Sequence, residues 1–423
     1  MAEYGGRVCV QDNASVTAAG GCLVVNNSAL GGSGFDLNDY SRTTLVQVTF
    51  VNNNELCVYA GNSAQVAVHN CSFTSNTAGD YGAAMNLLGF CQASIRGSQF
   101  TNNSASNGAA LAARGNSTLK LDGTQLQHNN ASQDGGAVLV AENATLTVHN
   151  SSFQANGADN SAGAISLGGA GLALIWGSFI GANNATWGGG MLCTANSTAE
   201  LHDVSFLDNR AGNNGAGLLL GGGAQVLVDN CTFKHNEAAT AGAAMHVAGS
   251  SQLHVMQSML ANNNASTAAG LAAYGNALDS CTVQGNSVSG NGAGMVVGDS
   301  AQVTLQHCTV ADNQAGDFAC MYAGDSSSVS ISNCSFTGNN ASYAGAFAAC
   351  GSAAVKLRFS EFIENTASNN GAVTLVKETA QVDAHNCKFH SNHAGTYGTF
   401  YVTDAARLNV SHCSFQDNVA QCL

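Results

Sequence analysis

Apolar residues recur along this chain in a pattern that repeats every 26 or 27 residues from about residue 50 to the end. Within each repeat, apolar residues occupy alternate positions of a short segment, as Leu119 and Leu121 do on either side of Lys120. This period of two indicates a β-strand with one buried face. A Gly- and Ala-rich turn then precedes a second apolar run, as in residues 135–140. Each repeat therefore predicts two or three short strands separated by Asn-, Gly- and Ser-rich turns.

Two positions of the repeat are nearly constant along the chain. The first, the anchor position, holds an apolar residue: Phe73, Phe100, Leu126, Phe153, Ile180, Phe206, Phe233, Leu260, Val283, Val310, Phe336, Phe362, Phe389 and Phe415. The second holds an Asn three residues later: Asn76, Asn103, Asn129, Asn156, Asn183, Asn209, Asn236, Asn263, Asn286, Asn313, Asn339, Asn365, Asn392 and Asn418. If the repeats stack, the rings lie above one another and the Asn amides form a hydrogen-bonded ladder. Asn suits this corner because it tolerates left-handed backbone and its amide both donates and accepts.

A repeat of this length cannot bury its apolar face alone, whereas stacked copies build one continuous core. The strand period, without any helical period, predicts an all-β fold that is a single parallel β-helix, a solenoid of about 15 coils with 26–27 residues per coil. We expect residues 46–423 to form the β-helix repeats, with the last coil incomplete. Residues 1–45 are expected to form irregular N-terminal coils, with an insertion or distorted coil between Asn26 and Thr44.

Composition narrows the classes of partner. Only 9% of the residues are charged, proline is absent and the formal net charge is −14. An acidic chain with scattered Lys and Arg disfavours binding to nucleic acid or anionic membranes. No apolar run is long enough for a transmembrane span. The alternating apolar columns argue against disorder, which is the other reading of so much Gly, Ala, Ser and Asn.

The two ends of the sequence bear on whether the chain is part of a longer protein. The N-terminal residues contain neither the basic region nor the apolar region of a signal peptide. Leu423 falls eight residues after Phe415, in the middle of a coil. An uncapped coil would leave an open sheet edge. We therefore expect the chain to be a fragment or an incomplete gene model of a longer protein.

Cysteine occupies one column of the repeat. Seven of the fifteen cysteines lie two residues before the anchor: Cys71, Cys231, Cys281, Cys308, Cys334, Cys387 and Cys413. Three of these are on consecutive coils, where Cα atoms would be about 5 Å apart, within disulfide range. Stacked side chains point the same way, however, and no C-x-x-C spacing typical of a metal site occurs. Buried free thiols are our first prediction, and disulfides between neighbouring coils are the alternative.

Fifteen N-x-S/T sequons are present, many of them a by-product of an Asn-rich repeat. Asn116, Asn143 and Asn196 precede predicted strands in turns, and they are the expected glycan sites if the protein is secreted by a eukaryote. Asn264 lies in another of these sequons. Asn230 is expected to be unreachable in the wall of the coil.

One column of the repeat contains residue types that could act in catalysis. The position four residues before the anchor should point outward, and it holds His69, Arg96, Asp122, His149, Trp176, His202, Asp229, Met256, Asp279, Gln306, Ser332, Arg358, His385 and Ser411. A β-helix enzyme could use such a column, because an acid, a base and a stabilising cation on successive coils would be about 5 Å apart. The alternative, which we favour, is a solvated face with neighbouring charges. The sequence predicts no catalytic residues, no cofactor and no metal site.

The motifs Phe-x-x-Asn and Gly-Gly-Ala-(Ile/Leu/Val) resemble the repeat of the chlamydial polymorphic outer membrane proteins. Phe73–Asn76, Phe153–Asn156 and Phe389–Asn392 match the first motif, and Gly135–Val138 matches the second. The resemblance implies an extracellular protein that serves adhesion, with relatives in algae and other microbes. More widely, the chain resembles pectin-lyase-like β-helices, which implies a right-handed coil. The catalytic signatures of those enzymes, a paired Asp with Gly-His-Gly or an Arg beside an acidic Ca²⁺ site, are not found.

These observations predict a non-enzymatic, surface-exposed or secreted β-helical rod. It would act as an adhesin, a spacer or a cell-wall- or polysaccharide-binding surface, with a polysaccharide or a cell-surface glycan or protein as partner. The alternative is a carbohydrate-active enzyme, a polysaccharide lyase or glycoside hydrolase, on the same scaffold.

Overall fold

The computed structural model describes residues 8–28, 34–273, 276–318 and 320–421. These residues divide into two compact units, one that runs to Ala211 and includes Gly223–Gln225, and one formed by Gly212–Gly222 and the residues from Val226 onward. In each unit the chain forms a parallel β-helix, and each turn contributes one short strand to each of three or four sheets. We name these sheets A, B, C and D in the order in which a turn passes through them. No helix in the described ranges is long and apolar enough to cross a membrane.

The first unit contains the following strands. Sheet A is formed by Val8–Val10, Phe35–Leu37, Val58–Ala60, Met85–Gly89, Leu111–Gly115, Val138–Val140, Ile165–Leu167 and Met191–Cys193. Sheet B is formed by Ser15–Ala19, Arg42–Val46, Gln65–His69, Gln92–Arg96, Thr118–Asp122, Thr145–His149, Leu172–Trp176 and Thr198–His202. Sheet C is formed by Leu23–Val25, Thr49–Val51, Ser72–Thr74, Gln99–Thr101, Gln125–Gln127, Ser152–Gln154, Phe179–Gly181 and Ser205–Leu207. Sheet D is formed by Ser104–Ala105, Asn130–Ala131, Gly157–Ser161, Asn184–Trp187 and Arg210–Ala211.

The second unit repeats this order. Sheet A is formed by Leu218–Leu220, Met245–Val247, Leu271–Ala273, Met295–Val297, Met321–Ala323, Phe347–Ala349, Thr374–Val376 and Phe400–Val402. Sheet B is formed by Gln225–Asp229, Gln252–Met256, Asn276–Asp279, Gln302–Gln306, Ser328–Ser332, Ala354–Arg358, Gln381–His385 and Arg407–Ser411. Sheet C is formed by Thr232–Lys234, Met259–Ala261, Thr282–Gln284, Thr309–Ala311, Ser335–Thr337, Glu361–Ile363, Lys388–His390 and Ser414–Gln416. Sheet D is formed by Glu237–Ala241, Asn264–Thr267, Ser287–Val288, Gln314–Ala315, Asn340–Ala341, Thr366–Asn370, His393–Thr396 and Val419–Ala420.

The number of turns agrees with the repeat. Within the described ranges, strands of sheets A, B and C each occur 16 times along the chain and strands of sheet D 13 times. The predicted all-β parallel β-helix of about 15 coils is therefore confirmed. The prediction of two or three strands per repeat is too low, because sheet D strands such as Asn130–Ala131 have only 2 residues and show no readable period.

Strands of neighbouring turns pair in parallel and in register, so like positions of the repeat lie side by side. In sheet B, Leu119 pairs with Leu146 and Leu121 with Val148. These side chains point into the coil and are at most 1% exposed. Lys120 between them is exposed. The alternating pattern of the sequence therefore marks the inner and outer faces of the sheet correctly.

The anchor residues form stacked rings inside each unit. In the first unit the ring centroids of Phe50 and Phe73 are 4.5 Å apart, with an interplanar angle of 4°. In the second unit the Phe336 and Phe362 centroids are 4.9 Å apart. These four rings are 0% exposed. The predicted Phe stack is thus the aromatic part of the core of both units.

The asparagine ladder is present at the corner between sheets C and D. Asn129 Nδ2 donates to Asn156 Oδ1 at 2.9 Å and to the carbonyl of Phe100 at 3.0 Å. Its Oδ1 accepts from both the backbone N and the Nδ2 of Asn103, each at 3.0 Å. Each amide therefore replaces the hydrogen bonds that water would make, which permits its burial.

Of the two reasons given for Asn at this corner, the tolerance of left-handed backbone is wrong. The ladder residues themselves do not adopt left-handed backbone; the residue before each one does, for example Ser75 at φ 55°, Asn102 at φ 54° and His128 at φ 55°. Those positions hold several residue types. Asn is required at the ladder because its amide both donates and accepts along the stack, and not for backbone tolerance.

The N-terminal 45 residues also contain strands of the repeat. Phe35–Leu37 pairs in register with Val58–Ala60, and Arg42–Val46 pairs with Gln65–His69. The predicted insertion between Asn26 and Thr44 includes residues 29–33, which lie outside the described residues, as do residues 1–7 and 422–423.

Candidate functional site

The outward column of sheet B, the last residue of each of its strands, lies as the sequence predicts. Arg96 pairs with Asp122, and Asp122 with His149, on successive turns. The His149 and Trp176 ring centroids are 4.7 Å apart, the Trp176 and His202 centroids are 5.9 Å apart, and both interplanar angles are 9°. The column therefore contains a stack of three nearly parallel rings.

Contacts within this column leave little for a substrate. The rings of His149 and His202 cover the two faces of Trp176, so the stack presents mainly ring edges to solvent. The Arg96 Nε and Asp122 Oδ2 atoms are 3.7 Å apart, but the two side chains are 65% and 50% exposed. Such an exposed ion pair contributes little to stability, because water screens it. Arg96 and Asp122 are therefore solvated in this column.

A shallow depression of about 460 Å³ lies beside this column and includes Arg96. Its lining includes Gln65, Ser94 and Lys120 and contains neither a carboxylate nor an imidazole. General acid–base catalysis needs a proton donor and acceptor near the reacting bond. The depression brings no such pair together.

The cysteine column is part of the core. The fourteen cysteines that the structure describes are free thiols. Cys281, Cys308 and Cys334 are 1%, 2% and 3% exposed, and the backbone N of Cys308 donates to Cys334 Sγ at 3.4 Å. Within this column burial raises the pKa of the Cys71 and Cys387 thiols, whereas hydrogen bonds with the Cys281 and Cys334 thiols lower the pKa of Cys308. A thiol that stays protonated at neutral pH is a poor nucleophile and a poor metal ligand.

The sequons lie on the surface. Asn116, Asn143 and Asn196 are exposed in turns that lead into sheet B, and Asn264 is exposed in sheet D. The prediction that Asn230 is concealed is wrong. It is exposed because it occupies the corner between sheets B and C, where its φ is 50°.

The strongest chemical arrangement, which the sequence reasoning missed, is a pocket of about 670 Å³ on the outer face of sheet A in the first unit. We call it the polar pocket; its principal residues are Asp36, Tyr59, Tyr81, Asn86 and Arg114. In the described chain, no three His, Cys, Asp or Glu side chains are grouped so as to hold a metal ion, there or elsewhere. The pocket is lined by aromatic, amide and charged groups.

The sheet register assembles this pocket. Asp36, Tyr59 and Asn86 occupy the same sheet A position on three successive turns. A side chain at Gly61 would not fit, because its Cβ would lie 2.6 Å from Asn38 Oδ1 and 3.0 Å from a carbon of the Tyr59 ring. Gly61 thus makes room for the ring of Tyr59.

Hydrogen bonding in the polar pocket is incomplete. The Asn38 amide donates to Asp36 at 2.9 Å, and the Arg114 guanidinium lies 3.7 Å from the centroid of the Tyr81 ring. Two buried atoms have no hydrogen-bond partner: Oδ1 of Asn86, which is 8% exposed, and Nε of Arg114. The lining residues of the pocket therefore include one unpaired acceptor and one unpaired donor.

Electrostatics keep Tyr59 in its neutral form. Burial raises the pKa of its hydroxyl, and the thiol of Cys91 and the carboxylate of Asp36 raise it further, while Arg114 opposes them. Tyr59 therefore offers a ring and a protonated hydroxyl to the pocket.

A second set of aromatic residues, here called the aromatic surface, lies in the second unit; it consists of Tyr322 and Tyr401 on sheet A and of Phe318, Tyr343 and Tyr397 in the segments that precede sheet A strands. Ring centroids are 5.6 Å apart for Phe318 and Tyr322, 6.1 Å for Phe318 and Tyr343, and 4.8 Å for Tyr397 and Tyr401. Phe318, Tyr322 and Tyr401 pack on a buried apolar layer. Tyr343 is 38% exposed and Tyr397 is 58% exposed. The surface is thus anchored from below and open to solvent.

The sequence contains a signal that is common to the polar pocket and the aromatic surface. The tripeptide Tyr-Ala-Gly occurs at 59–61 and again at 322–324, in the same sheet A position. At Gly324, as at Gly61, an added Cβ would collide with the preceding Tyr ring, at 2.7 Å. An outward Tyr with a Gly two residues later therefore marks a ring that folds back over its strand. The outward column predicted from the sequence belongs to sheet B, so this signal in sheet A lies outside it.

Comparison with known proteins gives the family. The family described as right handed beta helix region matches the chain over residues 4–186, 110–310 and 269–423. No curated protein matches this chain. The matched segments together span nearly the whole sequence, and their description agrees with the parallel sheets of both units. The chain belongs to the right-handed β-helix family.

Proposed function

We propose that this protein is a non-enzymatic, surface-exposed or secreted β-helical protein that binds polysaccharide and acts as an adhesin, a spacer or a cell-wall-binding protein. The aromatic surface is the observation that supports this function most directly. Exposed Tyr rings combine an apolar face with a polar edge, which suits the apolar faces and hydroxyl groups of sugar rings. Exposed apolar and aromatic surface commonly marks a binding site.

The charge of the chain selects the kind of polysaccharide. With a formal net charge of −14, the protein repels polyanions such as polyuronates at low ionic strength. A neutral polysaccharide avoids this repulsion. The Nζ of Lys377 lies 5.9 Å from the Phe318 centroid, and Glu378 follows Lys377 directly in the chain.

The experiment is cosedimentation with insoluble cellulose, mannan and chitin, with soluble pectate tested by gel retardation. Replacing both Tyr343 and Tyr397 by Ala should weaken binding to the neutral polymers by about tenfold or more, since each exposed ring contributes about 1 kcal/mol. The control is Tyr40→Ala, which removes a 66% exposed ring in the first unit. Retention of full binding by the double variant would contradict the proposal.

Two further readouts belong to the same experiment. Release of reducing ends or unsaturated sugars from any bound polymer would contradict the non-enzymatic part of the proposal. For localisation, the intact mass of the native protein before and after deglycosylation should show removable glycan at exposed sequons such as Asn116, Asn143 and Asn196. An unglycosylated protein recovered from inside a eukaryotic cell would count against secretion.

A further inference from the structure

The polar pocket contains two buried polar atoms that the protein itself does not satisfy, Oδ1 of Asn86 and Nε of Arg114. Asn86 lies more than nine-tenths buried at the base of the pocket, with 8% of its surface exposed. Leaving such atoms without partners lowers the stability of a folded protein. Both atoms belong to one cavity, and this points to a single ligand that supplies an acceptor and a donor.

We propose that the polar pocket binds one or two residues of an uncharged sugar. A sugar hydroxyl can donate to Asn86 Oδ1, and a neighbouring hydroxyl or ring oxygen can accept from Arg114 Nε. The rings of Tyr59 and Tyr81 provide the apolar contact that a sugar face requires. The volume of about 670 Å³ lies within the range of small-ligand sites and accommodates a mono- or disaccharide.

The charges of the described lining disfavour an anionic saccharide. Three carboxylates, of Asp36, Glu55 and Asp80, line the pocket together with one guanidinium, that of Arg114. A uronate would meet this net negative lining and be repelled. An amino sugar is attracted by the three carboxylates and repelled by the guanidinium, and its ammonium group cannot be the acceptor for Arg114 Nε.

This site is independent of the aromatic surface, because the two occupy different units and differ in chemistry. The aromatic surface is open and apolar and suits the side of a long polymer. The polar pocket is a cavity with directed hydrogen-bonding groups, and so it suits the recognition of particular sugar residues.

The test is isothermal titration calorimetry of the full chain with six tetrasaccharides. Four are neutral, namely cellotetraose, mannotetraose, xylotetraose and laminaritetraose; tetragalacturonate and chitosan tetraose are the charged comparisons. At least one neutral sugar should bind, and Asn86→Leu and Arg114→Met should each weaken that binding about tenfold, the effect of one lost hydrogen bond to a buried group. The two variants give independent tests should one of them fail to fold.

The matched control is Ser166→Leu, which changes a side chain at the same sheet A position of the first unit, 7% exposed and outside the pocket. It should bind as the unmodified protein does. The double replacement of Tyr343 and Tyr397 should also leave tetrasaccharide binding unchanged, which separates this proposal from that for the aromatic surface. The inference is overturned if no neutral tetrasaccharide binds at millimolar concentration, if only a charged one binds, or if the pocket variants bind normally.

Discussion

At the scale of single residues, His246 shows how burial controls the protonation of a side chain. It lies in sheet A of the second unit between Leu219 and Ala272 of the neighbouring turns and is 8% exposed. Burial lowers the pKa of its imidazole from 6.5 to about 4. The charged form is disfavoured because the apolar surroundings cannot replace its hydration.

The pH dependence of stability follows from this lowered pKa. In the unfolded chain His246 takes up a proton near pH 6.5, but in the folded protein only near pH 4, so the stabilisation is complete above pH 6.5 and is lost as the pH falls toward 4. This group should lower the free energy of unfolding by about 3 kcal/mol over that range. Urea unfolding between pH 4 and 7 should show that the free energy of unfolding of His246→Leu falls less toward acid pH than that of the unmodified protein.

The control for His246 is His254→Leu, which removes an exposed imidazole from the adjacent sheet B strand. This variant should lose as much stability between pH 7 and pH 4 as the unmodified protein does. An identical pH profile for His246→Leu and the unmodified protein would show that the imidazole is hydrated or that the unfolded state does not titrate at its ordinary pKa.

At the scale of elements, the asparagine ladder couples each turn of a unit to the next. The ladder supplies polar contacts at a corner where short strands of sheets C and D leave few backbone pairs. Because each amide both donates and accepts, removing one member affects the groups on both sides. A single residue therefore controls the contact between neighbouring elements.

The ladder can be tested at Asn129. Replacing it by Ala removes the acceptor of Asn103 and the donor to Asn156, all of them buried, and should lower the free energy of unfolding by about 1–3 kcal/mol. Denaturant unfolding measures this loss. Asn130→Ala is the control, because the neighbouring Asn is exposed in sheet D and its backbone hydrogen bond is retained. Equal stability of the two variants would exclude an energetic role for the ladder.

At the scale of the whole molecule, stability comes from contacts between neighbouring turns and not from one globular core. Each turn contacts its neighbours in the same register, so stability accumulates turn by turn. Residues 138–164 make up one turn, since Val138 pairs with Ile165 in the next. Deleting them joins Ala137 to Ile165 and restores the Gly-Ala-Ile sequence that is present at 163–165.

Deletion of residues 138–164 should therefore give a folded protein whose thermal midpoint falls by only about 2–6 °C. Circular dichroism during heating measures this. Deletion of residues 138–150 is the matched control: it removes about half a turn, places apolar columns on the wrong faces and should abolish cooperative folding. Loss of folding in the full-turn deletion would show that the turns are not interchangeable.

The candidate site was much less predictable than the fold. The outward column of sheet B, including His149 and Trp176, was located correctly because a column needs only the period of the repeat. The polar pocket was not located, although Tyr59 and Gly61 carry a signal. Its remaining members, such as Tyr81 and Arg114, lie in different columns and have no common spacing.

The sequence by itself determined the period, the inward columns, the Phe stack and the position of the ladder. It could do so because every turn meets nearly the same neighbours, so that a local pattern repeated in the chain is repeated in space. Only the tertiary structure decided the fourth sheet, the residue with left-handed backbone, the exposure of Asn230 and the assembly of the polar pocket. These depend on how each corner and loop bends, and that is set by packing between turns and not by the spacing of residues along the chain.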